Sequence, residues 1–385
     1  MIYLDNAATT KISPMVLEEM IPYFKTEYGN PGTVYGLGRR AADAVAQARQ
    51  RVADFIGASP EQIIFTSGGS EANTITIRCT RKYLESNGKG MVLTSAVEHD
   101  SVLRAIDHIP SVSVGVDELG VVHAEHITQI LDMCPDIGLV SIMYTNNETG
   151  SVNPIAEIGR VCAEHGVLFH TDCVQAAGCQ PIDVSAIGCD FLSLSSHKIH
   201  GAKGVGALFV KNKELLTPQI YGGALQEFGL RSGTENVAGI VGFGKACELA
   251  GHGREKRLKT VSNYKQKFYD CLIRELREGN LDKIVSINGE PITNKGKTLN
   301  LRLEDVDAET LLLMLDAQGV CISAGSACRS HESHPSHVLT AMGLTPDQAR
   351  DSVRVSFSEF NKSCDVIEAA KIMAECIISL RRGEL

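Results

Sequence analysis

Lys198 follows an apolar run, in Phe191-Leu-Ser-Leu-Ser-Ser-His-Lys198-Ile-His-Gly201. An ammonium in such a place is costly to desolvate unless it is paired or used chemically, and buried lysines are rare. Upstream, Val167-Leu-Phe169 runs into His170-Thr-Asp172-Cys-Val-Gln175 in the same manner. As neighbouring parallel strands, the two runs aim a carboxylate, an amide, a hydroxyl, an imidazole and an amine into one crevice. Open α/β sheets bind ligands at such strand ends. An amine able to form an imine, beside a carboxylate for a ring nitrogen, points to a pyridoxal phosphate (PLP) site.

A second segment suits the phosphate of such a cofactor. Ile63-Ile-Phe65 leads into Thr66-Ser-Gly-Gly69-Ser70-Glu71-Ala72-Asn73 and then a helical pattern. Strand, glycine turn and helix start together present unpaired backbone N–H groups and a helix dipole, and Ser70 adds a hydroxyl. Taken alone, the same turn reads equally well as a helix cap. It is neither a P-loop nor Gly-x-Gly-x-x-Gly, so nucleotide binding is a poor alternative.

A third candidate is Cys328, in Ser323-Ala-Gly-Ser-Ala-Cys328-Arg-Ser-His-Glu-Ser-His-Pro-Ser336. Small and polar residues predict an exposed loop, and Arg329 and His331 favour the thiolate that a nucleophile needs. Other cysteines, such as Cys162, Cys247 and Cys376, sit among apolar residues as small hydrophobes, and Cys321 reads as core. Cys328, His331, His334 and His337 recur every three residues, and all could bind zinc. Pro335 interrupts any helix that would align them, so no metal is expected. The histidines are expected to tune the thiol or a partner contact.

The elements that position these groups follow from periodicity. Apolar positions from Ala41 to Ile56 follow helical spacing, closed by Gly57. Short apolar runs at 63–65, 91–93, 139–143, 167–169, 191–194 and 205–210 alternate with helical stretches. That pattern indicates a mainly parallel sheet covered on both faces. From Arg254 to Glu278 the chain becomes charged and helical. Beyond it, strand candidates at 298–303 and 353–357 alternate with helices, the last one carrying apolar positions from Val366 to Leu380. This predicts a smaller α+β domain.

Bulk properties narrow the function. The 385 residues are 43% hydrophobic and 22% charged, enough for a large core and suited to two domains. A net charge of −9, with no basic run beyond Arg381-Arg382, argues against nucleic acid as a direct partner. No apolar run is long enough to cross a bilayer, and Met1-Ile-Tyr-Leu-Asp5 does not open a signal peptide. Twelve scattered cysteines without Cys-x-x-Cys fit a reducing cytoplasm.

Taken in order, the segments resemble the cysteine desulfurases of the NifS/IscS type, within the class V aminotransferase superfamily. The matching stretches are Tyr3-Leu-Asp-Asn-Ala-Ala-Thr-Thr10, Tyr28-Gly-Asn-Pro31, Ser67-Gly-Gly-Ser-Glu71, Glu98-His99, Asn146-Asn-Glu-Thr-Gly150, His170 to Gln175, Ser195 to Gly201, Arg231-Ser-Gly-Thr234 and Gly325-Ser-Ala-Cys328. The resemblance implies the PLP-dependent transferase fold of type I: a large domain over 14–253, with a mainly parallel seven-stranded sheet, and a small domain from 1–13 and 254–385. It implies conversion of L-cysteine to L-alanine through a Cys328 persulfide, passed to a sulfur-acceptor protein for iron–sulfur assembly or tRNA or cofactor thiolation.

The same resemblance assigns roles. Lys198 forms the imine with PLP and shuttles protons; Asp172 holds the ring nitrogen's proton; Gln175 bonds the ring oxygen. His99 stacks over the ring as an acid/base, and Asn147 touches the cofactor. Gly69, Ser70, Ser195 and His197 hold the phosphate, with Thr234 supplied by a second subunit, which implies a homodimer. Arg354 grips the substrate carboxylate.

The chain departs from the family at Tyr35, where a histidine is common, and at Phe228 and Glu359, where arginine is frequent. These departures bear on the acceptor rather than the core chemistry. One alternative is a selenocysteine lyase or another class V lyase or aminotransferase, whose activity survives loss of Cys328. The other is a non-catalytic sulfur-transfer scaffold, which forms no visible-region chromophore with PLP.

Overall fold

A computed structural model describes residues 1–223, 226–289, 291–292, 296–324 and 335–383. Cys328, His331 and His334 lie outside the described residues. The chain opens with β1 (Ile2–Tyr3). The strands β2 (Ile63–Thr66), β3 (Met91–Ser95), β4 (Ser111–Val114), β5 (Ile137–Ser141), β6 (Leu168–Asp172), β7 (Phe191–Ser195) and β8 (Gly206–Val210) then form a seven-stranded sheet ordered β2-β8-β7-β6-β5-β3-β4. Only β8 runs antiparallel to its neighbours; the remaining pairs are parallel.

Alternate residues of one strand enter different cores. In β2, Ile63 and Phe65 join one hydrophobic cluster and Ile64 another. In β7, Leu192 and Leu194 go one way and Phe191 the other. A period of two with both faces covered by helices explains the uninterrupted apolar runs in the sequence. The edge strand β4 shows the reverse. Its Ser-Val-Ser-Val leaves one residue of four buried, so no apolar run announces it.

The helix Gly36–Ile56 starts before the expected Ala41 and ends at Gly57, which takes φ 70°. It packs against the helix Val237–Gly251, where a Cβ on Gly244 would come within 2.7 Å of the Ala48 Cα. Only glycine permits that approach.

A second sheet lies later in the chain. Its strands are β9 (Val285–Asn288), β10 (Thr298–Leu303), β12 (Ser323–Ala324) and β13 (Ser352–Ser356), all antiparallel, while β11 (Val320–Cys321) pairs in parallel with β1. The helices Arg254–Glu278 and Ser363–Arg382 contribute Phe268, Leu272, Val366 and Met373 to the core beneath it, which Leu4 joins. The Leu4 carbonyl accepts from Ser356 N, and Asp5 bridges to Ser356. The first residues thus belong to the second core, and the chain after them crosses to the first. Among the described residues, no helix is long and apolar enough to cross a membrane.

Candidate functional site

The paired ends of β6 and β7 open onto a cavity of about 390 Å³. The register His170↔Phe191, Thr171↔Leu192 and Asp172↔Ser193 sets Asp172 beside the chain that leads to Lys198. Lys198 does not end the strand itself. It closes a 3₁₀ turn, Ser196–Lys198, beyond β7, and the turn carries its amine back over the strand ends. Gly69, Ser70, His99, Asn147, Asp172, Gln175, Ser195, His197, Lys198 and Arg354 all line this cavity. Thr234 does not line it and is exposed.

At one end lies a cradle of backbone. The helix Gly69–Cys79 makes its first bond from Ala72 N to Gly68 O, so the N–H groups of Gly69, Ser70 and Glu71 precede the helical ladder. A Cβ on Gly69 already falls 2.6 Å from the Val174 side chain, so nothing larger than glycine fits there. His197 flanks this end, its Nδ1 3.1 Å from Thr9 Oγ1. Burial, with Lys198, Lys297 and Lys203 adding to it, pushes the His197 pKa down to about 4. The ring is therefore neutral at pH 7, one nitrogen bearing hydrogen and the other bare.

In the middle, Asp172 is held from both sides. Oδ1 accepts from Val174 N at 2.9 Å, and Oδ2 from Asn73 Nδ2 at 2.8 Å. Asn73 also donates to Ser101 Oγ at 2.9 Å, which lies 2.8 Å from His99 Nδ1. Because Ser101 N donates to the same Nδ1, the neutral His99 ring carries its hydrogen on Nε2. A relay thus joins Asp172, Asn73, Ser101 and His99. The Lys198 amine donates to Ala7 O at 2.6 Å and Ala8 O at 2.7 Å, and Gln175 Nε2 donates to Ala7 O. Glu98, next to His99, is fully buried. Its Oε1 accepts from Ser95 Oγ and Met143 N, and burial raises its pKa to about 8.

The opposite end is built from side chains. Arg354 on β13 is 2% exposed, not a surface residue. Its Nη2 pairs with Asp5 at 2.9 Å and its Nη1 donates to Asn147 O at 3.0 Å, while Nε is buried without a partner among the described residues. The Asn146 side chain fixes the turn that presents Asn147 by accepting from Glu148 N and Thr149 N. Glu148 is buried and accepts from Ser336 Oγ, and burial raises its pKa. His337 Nε2 lies 3.0 Å from Glu98 O.

These residues fit PLP on the chemistry of the donor set and on buried atoms left without partners. The polar atoms Asn73 Oδ1, Gln175 Oε1 and Arg354 Nε belong to cavity-lining residues and have no partner among the described residues, a costly state that a polar occupant relieves. Sequence reasoning missed Asn73, Ser101, Asp5 and the Ala7 and Ala8 carbonyls. Asn73 was legible: it follows Ser70 by one helical turn and stands in the same motif. The carbonyls carry no side-chain signal.

Comparison with known proteins agrees with this geometry. The model of the family described as "Aminotransferase class-V" matches residues 2–368. The chain is 37% identical to a cysteine desulfurase IscS of Methanosarcina thermophila, covering 99% of this chain and 93% of that protein. Its fold matches a NifS-like protein with a TM-score of 0.87 at 32% identity, covering 97% of this chain and 98% of that one. It also matches SspA in complex with cysteine, with a TM-score of 0.78 at 33% identity over 94% and 100% of the two chains.

Proposed function

The chain belongs to the aminotransferase class-V family, and we propose that it acts there as a PLP-dependent cysteine desulfurase. It removes sulfur from L-cysteine and leaves L-alanine, as the full-length similarity to cysteine desulfurases supports. The observation that carries the reading is one cavity with Lys198 and Asp172 between a phosphate cradle and a buried arginine.

Bound PLP supplies an electron sink that labilises the substrate's Cα–H bond. Asp172, held by Asn73 and Val174, sets a carboxylate where a ring-nitrogen proton is retained. Lys198 would hold the cofactor and would carry a proton once released, with the Ala7 and Ala8 carbonyls receiving its amine. His99, which lines the cavity, would lie beside the bound ring and would hold a proton at Nε2. Gln175 holds one amide hydrogen for the ring oxygen beyond the one given to Ala7 O, and Asn147 adds a contact. Gly69, Ser70, Ser195 and neutral His197 hold the phosphate by hydrogen bonds. Arg354 keeps its Nε edge for the substrate carboxylate while Asp5 and Asn147 fix the rest of the guanidinium.

The Cys328 thiolate attacks the substrate sulfur. An S–S bond forms, the C–S bond breaks with its electron pair left on carbon, and protonation there completes alanine. The persulfide then passes to an acceptor protein, an iron–sulfur scaffold or a thiolation enzyme. The departures at Tyr35, Phe228 and Glu359 favour a specialised acceptor. Phe228 stands 43% exposed with Lys213 Nζ 3.6 Å from its ring centre.

Two further readings belong to the proposal. Residues 14–253 form the large domain, and 1–13 with 254–385 the small one. The enzyme is a cytoplasmic homodimer: Thr234 lies away from its own cavity, and exposed Phe24, Tyr28, Val34, Tyr35 and Tyr221 offer apolar surface to a second copy. The eleven described cysteines are all unpaired, as a reducing compartment keeps them.

The test is to incubate the PLP-loaded enzyme with L-cysteine and measure alanine and protein-bound sulfane sulfur. Wild type yields both, Lys198→Ala neither, and Cys328→Ser loses the persulfide. Alanine formation that persists in Cys328→Ser at the wild-type rate would overturn the reading in favour of a lyase.

A further inference from the structure

Lys198 stands in the wall between two cavities. Behind it, opposite the site described above, lies a larger one of about 660 Å³. It is bounded by the turn that carries Lys198, the helices Val237–Gly251 and Arg254–Glu278, and the segment after β13. Ile199, Leu249, Val261, Phe357 and Phe360 make much of its wall apolar. Its charges are unbalanced: Lys256, Arg257 and Lys297 face it, against the single carboxylate of Glu359 among the described residues.

Lys297, at the entry to β10, is only 9% exposed. Its ammonium has three hydrogens to donate and, among the described residues, one acceptor, Lys198 O at 3.3 Å. Neither Lys297 nor Arg257 makes an ion pair with a carboxylate among the described residues. Arg257 is engaged instead by the carbonyls of Gly178, Leu249 and Ala250. Burial, reinforced by Arg354, lowers the Lys297 pKa from the ordinary lysine value. A buried amine with one long bond, in a cavity of excess positive charge, lacks an anionic partner among the described residues.

We propose that this second cavity binds a small anion with an apolar body and no amino group, its acid group paired with Lys297. An ammonium would add to the positive charge of Lys256, Arg257 and Lys297, which disfavours L-cysteine and L-alanine as occupants. A small inorganic anion would leave the apolar walls unfilled. The proposal rests on the cavity alone and stands apart from the desulfurase reading.

The chain contains no tryptophan, so Phe360→Trp places a single fluorescent reporter on the cavity wall, at a side chain half exposed to solvent. The PLP-loaded variant is titrated with benzoate, benzyl alcohol, inorganic phosphate and L-alanine. The expected result is a saturable fluorescence change with benzoate, at a Kd at least ten-fold below those of the other three. Adding Lys297→Met raises the benzoate Kd at least ten-fold, with the absorbance of the bound cofactor retained. Equal affinity for benzoate and benzyl alcohol, or no saturation, overturns the proposal on the reporter variant alone, whether or not Lys297→Met folds. Unchanged benzoate affinity in a folded Lys297→Met protein overturns it as well.

Discussion

The two ends of the active-site cavity are built on different principles. The phosphate end is mostly backbone from one strand–turn–helix unit, Ile63 to Cys79, with Ser195 and His197 added by the end of β7 and the turn after it. The carboxylate end draws on Asp5, Asn147 and Arg354, residues 349 and 207 positions apart where they bond. A local unit made of N–H groups tolerates loss of one side chain. A three-way contact around one guanidinium does not, because removing a partner strands a buried charge.

Substitutions at the two ends should separate cofactor affinity from substrate affinity. The largest effect is expected for Arg354→Lys, which loses the planar fork. KM for L-cysteine should rise about 100-fold, as a lost charge-assisted pair worth roughly 3 kcal/mol implies, with PLP affinity within two-fold of wild type. A parallel loss of PLP affinity would erase the distinction between the ends. Ser70→Ala should do the converse. It raises the PLP dissociation constant about 5- to 10-fold, one hydrogen bond's worth, and leaves KM nearly unchanged in saturating cofactor.

Ser101→Ala probes the relay between the ends. It removes a hydroxyl that donates to the bare Nδ1 of His99. kcat should fall about 3- to 10-fold with KM nearly unchanged; an unchanged kcat would mean that the relay only packs. The smallest effect is on stability. Glu98 is raised to about 8 in the fold from 4.5, so its contribution is fully present below pH 4.5 and is lost as pH rises through about 8. Glu98→Gln removes that dependence while keeping an acceptor for Ser95 and Met143. Scanning calorimetry between pH 6 and 9 should show wild type losing about 2–4 °C more in Tm than the variant.

Much of the fold was legible because burial writes itself into composition. Strands covered on both faces must be apolar throughout, and six of the seven in the large sheet were visible for that reason. The seventh, β4, is a half-exposed edge whose serines hide it. The phosphate turn was legible too, since glycine, serine and a helix start occupy consecutive positions. The surroundings of Asp172 were only partly so: its position at a strand end can be read, but its hold by Asn73, 99 residues away in the chain, cannot.

By itself the sequence determined which chemistries are present: an amine and a carboxylate at the ends of apolar runs, and a thiol, Cys328, among small polar residues. The tertiary structure decided how they are aimed. It turned Lys198 back from β7 onto the carbonyls of Ala7 and Ala8, buried Arg354 against Asp5, and set Lys297 behind the site. A residue's type and its place in an element are local properties that periodicity records. Its partners across hundreds of residues depend on how the two cores pack, which no local pattern records.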